Sequence, residues 1–196
     1  MIDPDNITNF AQNRLQLQEF MSFWILVAGK TAHVTAPRLG NMMKFARTKG
    51  IYNAFDLWQD VGICKLPIFL KSHGIGDYNK KAKSLVTIAE AGLDLKTCGL
   101  DDLALFGQGQ KTRRCFLIHS RPNQMLAGLD VQILKCLRRE YGFRTAPKDT
   151  PASNKEYQRW EQVVVDIFTR EGRTAADFDL NKWKAYRKAP PKRVAA

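Results

Sequence analysis

The chain has 196 residues and carries 31 lysines and arginines against 19 aspartates and glutamates, a formal net charge of +12. A chain of this length can bury a core of its own, and its positive field predicts an acidic polymer, foremost nucleic acid, as partner. The most apolar early run, Phe20 to Ala28, is too short to span a bilayer, and the first residues lack a secretory pattern. We therefore expect neither a membrane protein nor a secreted one.

The four cysteines form no CxxC pair and no cluster with histidine: Cys64, Cys98, Cys115 and Cys136. Such spacing predicts neither a zinc site nor a disulfide framework. We expect reduced thiols in a cytoplasmic or nuclear compartment.

Apolar residues recur with helical spacing along most of the chain, and alternating strand patterns are scarce, which predicts an all-α fold. One predicted helix spans residues 10–27, and a second spans residues 80–91 and ends at Gly92. The basic face of the second helix is expected to be solvated: Lys80, Lys81 and Lys83.

The most strongly patterned helix begins after Ser153. Glu156 completes the spacing of a capping box, and an apolar stripe then runs from Tyr157 to Phe168. The final residues, 189–196, hold too few apolar groups to pack and are expected to form a flexible basic tail.

The segment from Leu100 to Tyr141 carries the most informative pattern. Residues 101–105 predict a short helix, the letters FGQGQ break it, and residues 111–119 predict a second helix. Gly107 and Gly109 would allow a tight turn and bring backbone amides close to a phosphate at the positive end of the second helix. Taken alone, this pattern also fits an ordinary hairpin between two helices.

The hairpin resembles that of the helix-hairpin-helix DNA glycosylases, the superfamily of endonuclease III and the 8-oxoguanine glycosylases. Their motif reads roughly L-P-G-V-G-x-K-T-A, and residues 105–113 here read LFGQGQKTR. The family places an Asp at nearly the distance that separates Asp130 from Lys111, in a V-D-T-H or V-D-V-H motif that is LDVQ here. Residues 70–83 resemble its I-K-x-I-G-x-Y-x-x-K-A segment, and residues 27–31 occupy the place of its L-S-x-Q-T helix end.

The resemblance implies two helical lobes with a DNA-binding cleft between them. One lobe would comprise residues 20–123 and end in the hairpin, and the other would combine residues 1–19 with residues 124–188. Double-stranded DNA is the implied partner, and we expect a monomer associated with the nucleoid or, in a eukaryote, with the nucleus.

The resemblance also implies an activity, that of a DNA glycosylase with associated AP lyase activity in base excision repair. Lys111 would attack C1′ of an extruded nucleotide and form an imine, and Asp130 would accept a proton and balance charge on the sugar. Further residues are expected to contact DNA: Lys30, Gly107, Gln108, Gly109, Gln110, Thr112, Arg113 and Gln132.

The chain departs from the family pattern at three positions. Phe106 replaces the hairpin proline, Gln132 replaces a histidine, and Lys30 replaces the glutamine that fills the gap left by the extruded base. These changes affect the expected identity of the excised base more than the expected reaction.

No organic cofactor and no metal centre is expected. Family members with an iron–sulfur cluster carry four closely spaced cysteines near the C-terminus, and here no cysteine follows Cys136. We therefore expect no such cluster. Family hairpins often hold a monovalent cation, Na⁺ or K⁺, which here would lie at three main-chain carbonyls: Leu103, Leu105 and Gln108.

Other interpretations stay open. Lys111 could serve only as a phosphate contact and Asp130 only as a helix N-cap, in which case the chain would be a non-catalytic DNA-binding module. Alternatively, a glycosylase-like enzyme could act on a base that is modified deliberately rather than damaged.

Overall fold

The computed structural model describes residues 2–187, and these contain helices and no strand, which confirms the all-α prediction. After a 3-10 helix at Pro4–Asn6, the helices are α1 (Arg14–Val27), α2 (Ala32–Thr48), α3 (Ala54–Ser72), α4 (Tyr78–Glu90), α5 (Gln110–Ser120), α6 (Val131–Arg139), α7 (Asn154–Arg170) and α8 (Ala175–Tyr186). Within this described part, no helix has the length and hydropathy needed to cross a membrane. The predicted tail, 189–196, lies outside it.

Two compact units divide the chain, Met1–Gln124 and Met125–Ala196. The division lies one residue after the boundary expected between residues 123 and 124. It places the N-terminal residues in the first unit, whereas the resemblance placed residues 1–19 in the second. The physical reason is a set of bonds far apart in sequence. The amide of Asn9 donates to the carbonyl of His119 at 3.0 Å, and the Thr8 hydroxyl lies 2.8 Å from His119 Nδ1.

Helix α1 is the centre of the first unit. It begins at Arg14, later than predicted, because Asn13 and Gln16 form a reciprocal capping box at 2.9 and 3.0 Å. Every residue from Phe20 to Leu26 is buried, so this helix is covered on all sides and contacts α2, α3, α4 and α5. A helix without an exposed face over two turns fixes the positions of its neighbours.

Helix α4 departs from its predicted solvated face at one lysine. Lys80 and Lys83 are exposed, but Lys81 is only 5% exposed and its Nζ donates to the carbonyl of Leu26 at 2.6 Å. Leu26 lies in the last turn of α1, where carbonyls have no partner within their own helix. Burial lowers the pKa of Lys81 to about 8. The side chain therefore closes the end of α1 instead of facing solvent.

This burial makes stability depend on pH. The pKa of Lys81 falls from 10.5 to about 8 on folding. Burial of the charged amine therefore lowers the unfolding free energy by its full amount below pH 8, and this loss disappears as the pH rises from about 8 to 10.5. Relative to Lys81→Met, the wild type should therefore gain up to about 1.4 kcal/mol of unfolding free energy for each pH unit. Urea unfolding at several pH values measures the difference. Lys80→Met, which removes an exposed lysine of the same helix, is the control, and parallel pH curves for wild type and Lys81→Met would contradict the prediction.

The second unit is organised by α7. The Ser153 hydroxyl accepts a bond from the amide of Glu156 at 3.2 Å, which confirms the predicted helix start. The predicted stripe is buried from Tyr157, which is fully enclosed, to Phe168. Helix α8 is tied to the residue that ends α6 by an ion pair between Lys182 and Glu140.

Candidate active site

Of the two helices predicted for the hairpin, the structure contains the second, α5. Helix α5 lies where the sequence predicts it and is one residue longer at each end. The helix predicted over residues 101–105 is wrong, since only a turn forms, closed by a 2.9 Å bond from the amide of Ala104 to the carbonyl of Asp101. Five residues are too few to offset the cost of nucleating a helix, so a single turn suffices.

The two hairpin glycines have different roles. Gly107 has a φ of +73°, and a Cβ placed on it would lie 1.8 Å from the hydroxyl oxygen of Ser84 in α4. Gly109 has a φ of −63°, and a Cβ there would meet nothing within 4 Å. Gly109 is also the N-cap of α5, and it places no side chain over the start of that helix. The fold requires glycine at 107, whereas 109 leaves room for an external group.

Alanine substitutions should separate these roles. Gly107→Ala is expected to cost about 1–3 kcal/mol of unfolding free energy, because it adds backbone strain and a clash with α4. Gly109→Ala should leave the unfolding free energy within about 0.5 kcal/mol of wild type but weaken DNA binding, since a methyl group would stand between the amides and a phosphate. Thermal unfolding and DNA titration measure the two effects. Equal destabilisation by both substitutions would contradict this division.

Lys111 lies in the first turn of α5 and is half-buried. The neighbouring residues predicted to contact DNA are placed differently from one another. Gly107, Gly109 and Lys30 are exposed and Gln110 and Gln132 are half-buried, while Gln108, Thr112 and Arg113 are buried. The guanidinium of Arg113 donates to the carbonyl of Leu100 at 3.1 Å, so it fastens α5 to the start of the hairpin.

A pocket of about 660 Å³ opens beside the hairpin. Its lining includes Gly107 and Gly109 from the turn, Thr112 from α5, and Lys80 and Lys81 from α4. Lys80 is exposed, whereas the amine of Lys81 is engaged by the carbonyl of Leu26 and Asp77 also lines the pocket. The main-chain amides at the helix start and Lys80 favour an anion, and a phosphate group is the anion that this setting suits.

A second feature at this pocket was not predicted from the sequence. Lys30, at the position of the gap-filling glutamine, forms an ion pair with Asp77 at 3.1 Å, and both side chains are largely exposed. The hydrogen bond and charge of Lys30 hold the pKa of Asp77 below its ordinary value. Asp77 has a φ of +54°, a strained conformation for a residue with a side chain. The only sequence signal was the position of Asp77, which follows Gly74 and Gly76 and precedes the start of α4.

Asp130 lies in the second unit as the N-cap of α6, which is the N-cap interpretation that the sequence left open. Its Oδ1 accepts bonds from the amides of Gln132 and Ile133 at 2.8 and 2.9 Å, and the residue is 8% exposed. These bonds fix the orientation of the carboxylate. A capping role and a catalytic role are compatible, because a carboxylate offers acceptor sites on two oxygens.

Side chains of α7 form hydrogen bonds with the residues that precede Asp130. The Tyr157 hydroxyl accepts from the amide of Leu129 at 2.9 Å and donates to the carbonyl of Ala127 at 3.0 Å. Glu161 accepts from the amide of Ala127 at 2.9 Å. The sequence placed Tyr157 in the core by periodicity, but it gave no signal for these bonds, because their partners lie about thirty residues away.

The described residues contain no group of three or more histidine, cysteine or acidic side chains that could hold a metal ion. The carbonyl of Leu105 accepts the amide of Gln108 at 3.0 Å, which closes the turn. A monovalent cation at the hairpin carbonyls stays a prediction.

No family model and no curated protein matches the sequence. Solved structures do match. An 8-oxoguanine DNA glycosylase of Thermotoga maritima has a TM-score of 0.70 at 20% identity, over 89% of this chain and 81% of its own. The 8-oxoguanine glycosylase/lyase of Methanocaldococcus jannaschii, in complex with DNA that contains 8-oxoguanine, has a TM-score of 0.70 at 20% identity, over 91% of this chain and 86% of its own. Another structure of the Methanocaldococcus jannaschii 8-oxoguanine DNA glycosylase gives a TM-score of 0.69 at 18% identity, over 91% of this chain and 81% of its own.

The chain has the fold of these glycosylases. Likeness at this level of identity establishes the fold alone, so activity and substrate rest on the chain's own residues.

Proposed function

We propose that this chain is a DNA glycosylase with associated AP lyase activity that removes a damaged base in base excision repair. The observation that carries the proposal is Lys111 in the first turn of α5, two residues after an N-cap glycine that places no side chain over the helix start. An amine placed there would meet the sugar of a nucleotide whose phosphate lies on the amides of the helix start. The net charge of +12 supports DNA as the substrate.

The first base to test is 8-oxoguanine, because the structural neighbours are 8-oxoguanine glycosylases. The enzyme would act on duplex DNA as a monomer and would need no iron–sulfur cluster. It would work in the nucleoid or, in a eukaryote, in the nucleus. It would first extrude the nucleotide, at a cost that is smallest for damaged or mispaired bases.

The chemistry needs two residues of this chain. The neutral amine of Lys111 would attack C1′, the bond from C1′ to the base would break, and the base would leave with the electron pair and gain a proton. The nitrogen would lose a proton to Asp130, and the C1′–O4′ bond would break as the ring oxygen takes up a proton, which leaves an imine. Loss of a proton from C2′ would then break the C3′–O bond and release the 3′ phosphate by β-elimination. The two amide bonds to Asp130 would keep its carboxylate oriented during these steps.

Substitution of each residue tests this assignment. Lys111→Gln should abolish base release and borohydride-trapped adducts but leave DNA affinity within about threefold, since one of many cations is lost. Asp130→Asn should keep the N-cap, because its amide oxygen still accepts, and slow base release by at least about a hundredfold. Single-turnover assays on DNA that contains 8-oxoguanine measure both.

Lys80→Gln is the matched control, since it removes an exposed lysine that lines the pocket beside the hairpin. It should retain the adduct. If the wild type forms no adduct with abasic-site DNA, Lys111 is a phosphate contact and the chain is a binding module. If abasic DNA is trapped but 8-oxoguanine and other damaged bases are not released, the natural substrate is a modified base other than those tested.

DNA binding should also weaken steeply with salt. If six or more phosphates are neutralised, affinity should fall by roughly a thousandfold between about 50 and 200 mM salt. Fluorescence anisotropy with a labelled duplex measures the slope. A flat response would indicate that binding does not rest on phosphate contacts.

A further inference from the structure

The turn between α3 and α4 is surrounded by positively charged side chains from three parts of the chain. It comprises residues 73–77, with the sequence HGIGD, and is here termed the 73–77 loop. Lys30 reaches it from the turn after α1 and Arg38 reaches it from α2. Lys71, in the last turn of α3, is exposed beside it. All of these residues belong to the first unit.

Two glycines let these cations lie directly on the loop backbone. A Cβ on Gly74 would lie 2.9 Å from Cζ of Arg38, and a Cβ on Gly76 would lie 2.9 Å from Nζ of Lys30. Nη1 of Arg38 donates to the carbonyl of Gly74 at 2.6 Å, which fixes a guanidinium that has further N–H donors for another acceptor. Both cations thus stand over two residues of backbone, at most about 7 Å long. Like charges this close repel, and an anion that contacts both removes the repulsion.

A carboxylate of the chain itself already lies at this place. Oδ2 of Asp77 is 3.1 Å from Nζ of Lys30, and the two side chains are 62% and 41% exposed. Asp77 occupies the N-cap position of α4 but forms no side-chain cap bond, so its carboxylate pairs with Lys30 instead of the helix amides. An exposed ion pair of this kind contributes little to stability and opens easily. Lys30 can therefore exchange Asp77 for an external anion.

The loop borders the pocket that the hairpin lines. Asp77 and Tyr78 line this pocket together with Gly107 and Gly109. Nζ of Lys71 lies 5.6 Å from the centre of the Tyr78 ring, so a further cation stands near the same pocket. A phosphate at the hairpin and the cations of the loop are therefore neighbours across one pocket. A nucleic-acid strand, which presents phosphates in a row, can occupy both places at once.

We propose that the 73–77 loop, with Lys30, Arg38 and Lys71, is a second binding site for the phosphate backbone of DNA, and that Asp77 competes with DNA for Lys30. The inference rests on the proposed function only in taking DNA as the ligand at the hairpin. Each phosphate contact releases counterions, so the site adds to affinity and to its salt dependence without reading sequence. Asp77 lowers the affinity for every duplex alike.

Removal of the charge of Asp77 tests the competition. Asp77→Asn keeps a residue type that tolerates the φ of +54° and removes the negative charge. It should tighten binding to a labelled undamaged duplex by about threefold or more, a gain that a folding defect cannot produce. In a Lys30→Gln background the gain should vanish, because the competition acts through Lys30. Fluorescence anisotropy at fixed salt measures the cycle, and Asp77→Asn binding no tighter than wild type, or a gain that persists without Lys30, overturns the inference.

Removal of two cations tests the site itself. Arg38→Gln combined with Lys71→Gln should weaken duplex binding by about tenfold and reduce the slope of log affinity against log salt by about 2, because two phosphate contacts are lost. Lys71→Gln alone, at an exposed residue, should reduce the slope by about 1, which keeps the test independent of any change in the loop.

The matched control is Lys44→Gln combined with Arg47→Gln. It removes the same charge from exposed positions of α2 that lie about 9–14 Å farther along the helix than Arg38. Its slope should stay within about half a unit of wild type. Equal losses of affinity and slope in the two double variants would mean that only the overall charge matters, and the inference would fail.

Borohydride trapping by the wild type on abasic-site DNA separates this result from the proposed function. If the loop variants shift duplex binding as expected but no adduct forms, the glycosylase chemistry is overturned and the second site stands. If an adduct forms and the loop variants bind like their controls, the second site is overturned and the chemistry stands.

Discussion

The hairpin can lie against α4 only because residue 107 has no side chain. Its backbone turns through a φ of +73° at a point where a Cβ would lie 1.8 Å from the Ser84 hydroxyl oxygen. This close approach fixes where the turn ends and therefore where α5 begins. The position of Lys111 follows from it, since this residue belongs to the first turn of α5. A contact between the backbone of Gly107 and the side chain of Ser84 thus determines where the candidate nucleophile lies.

Helix α1 transmits this arrangement through the rest of the first unit. Its continuous burial from Phe20 to Leu26 brings α4 and α5 onto one scaffold. The same helix receives the amine of Lys81 at its C-terminal end and presents the indole of Trp24 to α5. Both contacts are costly in isolation, since one buries a cation and the other encloses the Nε1 of Trp24 without a hydrogen-bond partner among the residues that the structure describes. Costs of this kind are tolerated in folded proteins chiefly where function or helix termination gains from them.

The two candidate catalytic groups are held by separate networks, one in each unit. Lys111 depends on the α5 start, which Arg113 fastens to the carbonyl of Leu100. Asp130 depends on the α6 cap and on the bonds from Tyr157 and Glu161 to the chain before it. Each group is therefore oriented within its own unit. Rigid support of this sort is what the proposed chemistry would require of each group.

The all-α fold, α5 and α7 could be predicted from the sequence, because helical period and capping residues are local patterns. The pairing of Lys111 with Asp130 stays a prediction. Local patterns also misled, since Asp101 to Leu105 form only a turn and Lys81 is buried within a basic face. Only the tertiary structure decided that Gly107 and Gly109 have different roles, that Lys30 pairs with Asp77, and that Trp24 rather than another tryptophan stacks on His119. Each of these depends on groups that lie tens of residues apart in the chain, and sequence periodicity records which face of a helix is buried but not which partner covers it.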